Sequence, residues 1–288
     1  MHAGLTALLE SGGELARWSW EPGIVLPLLV AAVVYVRGAA VLWSHEAQRG
    51  IQPWKIASFA SGWVVVALAL VSPLHAASER SFSAHMIQHE ALMVVAAPLL
   101  VLARPFIVML WALPAKPRRA VGRVLSTPRV RRGWRVLICP FDAWLIHGIV
   151  IWVWHVPLLF QATLTNDAVH AVQHLSFLGS ALLFWWVIIF PERRAARGMS
   201  VVYLFTTAVH TGGLGALMAF ARAPWYPLYS GRAGMWGLTP LGDQQLAGLI
   251  MWIPASVTYL VAALLIMRRW LQDSEWRVVE HERAGATV

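Results

Sequence analysis

The sequence predicts an all-α fold: a polytopic membrane helical bundle of about seven transmembrane helices, N-terminus out and C-terminus in, with helical hairpins that repeat. Three observations predict it. Of 288 residues, 58% are hydrophobic and 13% charged, about half the ~25% charged share of a soluble domain. Continuous apolar runs occupy 23–43, 54–72, 83–104, 136–155, 168–190, 200–221 and 243–266, each close to the ~20 residues a helix needs to cross a bilayer core. Basic residues gather on alternate connections, as the positive-inside rule requires. The runs do not alternate apolar and polar over ~10 residues, which excludes the strands of a membrane barrel.

Residues 1–22 read as an outer N-terminal segment, without the basic stretch and small-residue cleavage site of a secretory signal, so the first span is expected to be retained. Trp18 and Trp20 mark its outer end and Trp43 its inner end, where indole rings lie at headgroup depth. Arg49 and Lys55 follow inside, and Trp54 opens the second span, which ascends to His75 and Arg80. The third descends from His85 to Trp111. From Pro114 to Arg135 the chain carries Lys116, Arg118, Arg119, Arg123, Arg129, Arg131, Arg132 and Arg135 with no acid, which reads as a cytoplasmic loop. Despite a net charge of +9, the expected partners of these cations are membrane lipid headgroups and not nucleic acid.

The fourth span opens near Trp134 and Cys139 and rises to Trp152, Trp154 and His155; the fifth descends from His170 toward Arg193, Arg194 and Arg197. The sixth ascends to a connection holding Arg222, Trp225, Arg232 and Trp236, and the seventh runs from Asp243 to Arg268, Arg269 and Trp270. Residues 23–270 then form one transmembrane domain and 271–288 a cytoplasmic tail. Cys139 is the lone cysteine, so neither an internal disulfide nor a thiolate pair for a metal is available.

Chemistry concentrates at the outer ends. The third span opens "HMIQHE" and the fifth "HAVQHL": His85 with His89, and His170 with His174, each pair sharing one helix face about 6 Å apart along the axis. Both spans begin outside, so the pairs lie at matching depth. Spans two and three, with His75 between them, and spans four and five, with His155 between them, read as repeated hairpins; spans six and seven read as a diverged third, with Asp243, Gln244 and Gln245 at the equivalent place. A single histidine such as His147 or His210 is ordinarily a packed residue bonded across to a neighbour. Two pairs converging on one side point to a metal or haem site, because ionisable groups in hydrocarbon are costly and mark pathways or sites.

Imidazoles without thiolates suit copper, zinc, iron or nickel, and a thioether such as Met86, Met93, Met218 or Met251 would favour cuprous copper, although methionine in such spans is more often core filler. Zinc proteolysis is disfavoured, since its helical motif needs Glu after the first His and here Met86 and Ala171 stand there. Glu90 and the glutamines are candidates for orienting the ring nitrogens. Other classes stay open: a haem-binding membrane electron carrier, to which His147 and His210 would add a pair, and a copper transporter or ion channel, which would need polar groups continuing inward. Below His147 and His210 little is polar apart from Asp142 and terminal arginines.

The stretches "HMIQHEALMVVAAPLLVLARP", "HAVQHLSFLGSALLFWW" and "DQQLAGLIMWIP" together resemble the multispanning caa3-type cytochrome c oxidase assembly factors, the CtaG family, over roughly residues 23–270. The resemblance implies a seven-span protein of the bacterial inner membrane that acts in maturation of haem-copper oxidase by binding copper at the outer face and delivering it to an oxidase subunit, with no catalytic turnover. The positions matching the family's motifs are His85, His89, His170, His174 and Asp243. His75, Met86, Glu90, His155, His210 and Asp243 are the accessory candidates.

Overall fold

The computed structural model describes residues 18–45, 51–191, 197–230 and 237–285. Arg17, Arg49, Arg193, Arg194, Arg232 and Trp236 lie outside the described residues. The chain is a polytopic helical bundle; among the described residues no strand is present. Six helices are long and apolar enough to cross a membrane, or seven if one bent pair counts as a span.

Helix α1 (Pro22–His45) and α2 (Pro53–Val71) correspond to the first two runs, and α3 (Pro73–Ser78) is a short connecting helix. Helix α4 (Phe82–Ala103) is the third span and contains a π segment, Ala91–Ala96. That segment has a local cause. Ala97 N–H bonds back to Leu92 O, and the next bond of that register would need an N–H from Pro98, which has none. The freed carbonyl of Met93 instead accepts from Trp185 Nε1 at 2.9 Å. Arg104, at φ 50°, ends α4 in the left-handed conformation, and α5 (Pro105–Trp111) begins at the following proline.

Two expectations are corrected here. The basic stretch is not a loop but two helices, α6 (Ala115–Leu125) and α7 (Pro128–Leu137), with no buried residue on either. The fourth span does not run 136–155: α8 covers only Pro140–Trp154, and α7 meets it at 63°. Pro140 dictates the break: it disfavours helical backbone at the residue before it, Cys139, which is extended (ψ 123°), and itself opens α8 at the first position.

Beyond α8 lie the short helix α9 (Pro157–Thr163), the spans α10 (Asp167–Ile189) and α11 (Arg197–Ala219), the one-turn α12 (Pro227–Ser230) and α13 (Pro240–Gly285). The last helix continues past 270 without a break. The three short helices α3, α9 and α12 occupy equivalent places, after the second, fourth and sixth spans, and all begin Pro-Leu: "PLHAAS", "PLLFQAT" and "PLYS".

The hairpins pack within themselves: α2 on α4, α8 on α10, α11 along α13. The last pair approaches closest. A Cβ on Gly215 would stand 2.7 Å from Gly248 O, and one on Gly248 would stand 2.5 Å from Gly215 O, so both positions need glycine for the backbones to meet. The main core joins Phe82, Phe160, Phe177, Phe184, Trp185 and Tyr259 from α4, α9, α10 and α13. Helix α1 is peripheral, held by a Tyr35–Phe59 stack at 3.6 Å and by Arg37 Nε donating to Ala112 O at 3.0 Å.

Candidate metal centre

The site is built from the first turns of α4 and α10. At α4, Ser81 Oγ accepts from Ala84 N, and the Asp243 carboxylate reaches across from α13 to accept from Phe82 N at 2.6 Å, Ser83 N at 3.2 Å, Ser81 Oγ at 2.9 Å and Ser83 Oγ. A buried anion thus satisfies the free amides and faces the positive end of the helix dipole. At α10, Asn166 Oδ1 accepts from Ala168 N and Val169 N. Both histidine pairs are fixed on capped, regular turns.

The four rings lie together. Centroids are 4.3 Å apart for His85–His89, 4.4 Å for His170–His174, 5.5 Å for His89–His174, 5.2 Å for His85–His170 and 6.0 Å for His85–His174. His85, His89 and His174 each offer a nitrogen, and these three atoms lie within 4.8 Å of one another. All three side chains are buried. Both nitrogens of His89, and Nε2 of His170 and His174, lack a hydrogen-bond partner among the described residues. Leaving a buried polar atom unsatisfied costs about 1–3 kcal/mol, and the described residues leave four such ring nitrogens unsatisfied in one cluster.

The hydrogen bonds around His85 select one tautomer once the Tyr229 hydroxyl proton is assigned to Ser78 O. Tyr229 has one hydroxyl proton, and Ser78 O, at 3.0 Å, can only accept it. With the proton assigned to Ser78 O, the contact from Tyr229 Oη to His85 Nδ1, at 3.2 Å, is donated by the ring. In the neutral imidazole Nε2 is then the lone pair. It faces Gln173 at 3.2 Å, on the helix that carries His174, and the Gln173 amide satisfies it only by turning its NH2 toward the ring. His155 is arranged the same way: Nδ1–H donates to Ile151 O at 2.7 Å, leaving Nε2 buried and without a partner among the described residues.

The accessory candidates divide. His75 stacks on His170 at 5.7 Å, but its Nδ1 accepts from Gln88 Nε2 at 3.2 Å and its Nε2 faces Glu21 at 4.0 Å; both of its nitrogens are engaged. His155 keeps a bare nitrogen beside Phe160 and Phe177, which also pack on His85 and His89. Met86 is part of the apolar core. Glu90 is buried with Oε2 unpartnered among the described residues and bonds no histidine there. Asp243 is spent on the α4 terminus. His210 accepts from Trp152 Nε1 at 3.3 Å, and His147 Nδ1 pairs with Ser180 at 3.0 Å.

Sequence reasoning missed the cover. Tyr226 Oη donates to His155 O at 2.9 Å, and burial raises the pKa of this phenol, keeping its proton in place. It packs with Tyr229 on Phe160, which in turn packs on His85 and His89. Two signals were available: two of the five tyrosines fall in "WYPLYS", and the Pro-Leu start recurs in all three outer connections. Gln244 and Gln245 are latches as well, taking Trp225 N at 2.6 Å and Ala221 O at 3.2 Å.

The sequence model of the cytochrome c oxidase caa3 assembly factors matches residues 33–273. The chain belongs to that family. The matched range includes every histidine of the cluster, the short helices α3, α9 and α12 and the Asp243 cap. No curated protein and no solved structure matches the chain.

Proposed function

We propose that this assembly factor binds copper at the outer face of the bacterial inner membrane and delivers it to a haem-copper oxidase subunit, with His85, His89 and His174 as the ligands and His170 and His155 as exchange positions. The observation that carries the reading is His89: a buried imidazole with both nitrogens unpartnered among the described residues, in a triad whose ligand atoms lie within 4.8 Å. The donor set fits the cargo. Three neutral imidazoles without thiolate or carboxylate suit copper, and the cost of burying an ion rises with the square of its charge, so a monovalent ion costs about a quarter as much as a divalent one. Cuprous copper is the favoured species. Spare buried nitrogens on His170 and His155 allow ligand exchange without exposing the ion to water.

In this reading no catalytic turnover is needed, residues 23–270 act as one transmembrane domain, and the tail from 271 is cytoplasmic. Haem is less well accommodated, because Phe160 packs 4.9 Å from His85 and Phe177 packs 4.5 Å from His89, where a macrocycle would have to stand. The test is copper(I) stoichiometry of the purified chain together with oxidase maturation in cells. Wild type should bind one copper per chain, and His89→Ala and His174→Ala should lose copper and maturation at unchanged abundance in the membrane. Unchanged copper and maturation in both variants would return the histidines to interhelical packing, a role of order ~1 kcal/mol each.

A further inference from the structure

The helices α6 and α7 have no place in copper handling, and they expose a surface that soluble protein would hide. On α6, Ala120, Val121, Val124 and Leu125 fall on one side and Lys116, Arg119 and Arg123 on the other; on α7, Val130, Trp134 and Leu137 oppose Arg129, Arg131, Arg132 and Arg135. Val124, Leu125, Val130, Trp134 and Leu137 are exposed. Neither helix has a buried residue, and no acid lies in the stretch. Arg118 stands outside this pattern because its guanidinium lies 3.9 Å over the Trp111 ring, tying the pair to the end of α5.

Chain connectivity places α6 and α7 at the end of the bundle opposite the histidines, beside spans on both sides. The depth follows from α8. Its 15 residues rise about 22 Å, short of a hydrocarbon core of ~30 Å. An in-plane amphipathic helix seats its apolar face ~5–10 Å into the headgroup and acyl boundary, which makes up the shortfall if α7 enters the membrane before the 63° turn into α8. We infer that α6 and α7 form an in-plane anchor whose apolar faces lie in the inner leaflet boundary and whose cations take the headgroups of anionic phospholipids.

The experiment uses the full chain in nanodiscs of phosphatidylcholine and phosphatidylglycerol. Nitroxides are placed at Val121, Val130 and Leu137, and at Arg119 and Arg132, on a Cys139→Ser background. Labels at the first three positions should be reached by oxygen and shielded from a water-soluble nickel chelate; those at the two arginine positions should show the reverse. From an equimolar mixture the purified chain should retain phosphatidylglycerol severalfold over phosphatidylcholine. Each Arg→Gln change among Arg119, Arg123, Arg131 and Arg132 should lower that ratio by up to about fivefold. Inorganic phosphate should do no more than chloride of equal ionic strength. Apolar-face labels open to the nickel chelate, or equal retention of the two lipids by wild type, would overturn the proposal. Shielding from both reagents would overturn it in favour of a covering protein, and selective displacement by phosphate would replace the bilayer with a free anion.

Discussion

Replacing Asp243 separates a residue that positions the site from one that ligates in it. The carboxylate accepts from Phe82 N, Ser83 N and two serine hydroxyls in a buried setting. In Asp243→Ala the serine hydroxyls can turn to each other, being 2.9 Å apart, but the two amides cannot. Two buried donors left open cost about 1–3 kcal/mol each, and loss of the anion at the dipole adds about 1 kcal/mol. A loss of about 3–7 kcal/mol is expected for Asp243→Ala. Asp243→Asn should lose about half of that, since one amide oxygen still accepts while the NH2 confronts a donor. The assay is reversible unfolding in mixed micelles by increasing the mole fraction of a denaturing detergent, with copper(I) content measured on the folded fraction. Folded Asp243→Asn should still bind copper. A variant within about 1 kcal/mol of wild type but devoid of copper would refute the capping argument and make Asp243 a ligand.

Tyr229→Phe should release the His85 tautomer: the nitrogen-15 shifts of the His85 ring should move from a single Nδ1–H form in the metal-free wild type to a mixture, with weaker copper(I) binding by competition and little change in stability. His155→Ala should keep copper occupancy and slow its transfer to a chelator, whereas loss of occupancy would make His155 a direct ligand. Gly215→Val should destabilise the α11–α13 contact by several times the ~1 kcal/mol of a simple helix propensity change, since the added carbons meet Gly248 O; wild-type stability would show that the helices part freely. A cysteine at Ser126 should react with an impermeant reagent in inside-out vesicles and not in intact cells, and the reverse would invert the orientation on which the outer site depends.

Much of this molecule was legible because hydrocarbon forces long patterns. Apolar runs gave the spans to within a few residues except at Pro140, where a hydropathy reading sees one continuous stretch and the backbone sees a missing N–H, and at the end of α13, which stays helical to Gly285 beyond the apolar run. The basic stretch looked like a loop because its charges dominate; its apolar residues matter only once placed on a helix. The histidine pairs were visible from their spacing, since four residues return to one helical face. Their partners were not. Whether Asp243 ligates or caps is decided by a contact between residues 160 positions apart, and the tautomer of His85 by a hydroxyl from an outer connection. Neither relation has a local signature, so the sequence could place the imidazoles and could not say which nitrogens were free.

The central claim is that three particular nitrogens take one copper, and X-ray absorption at the copper edge of the loaded, purified chain tests it most directly. The account predicts about three nitrogen scatterers near 2.0 Å, with imidazole multiple scattering, and loss of the signal in His89→Ala at unchanged protein. A first shell dominated by sulfur, or an unaltered spectrum in His89→Ala and His174→Ala, would contradict it.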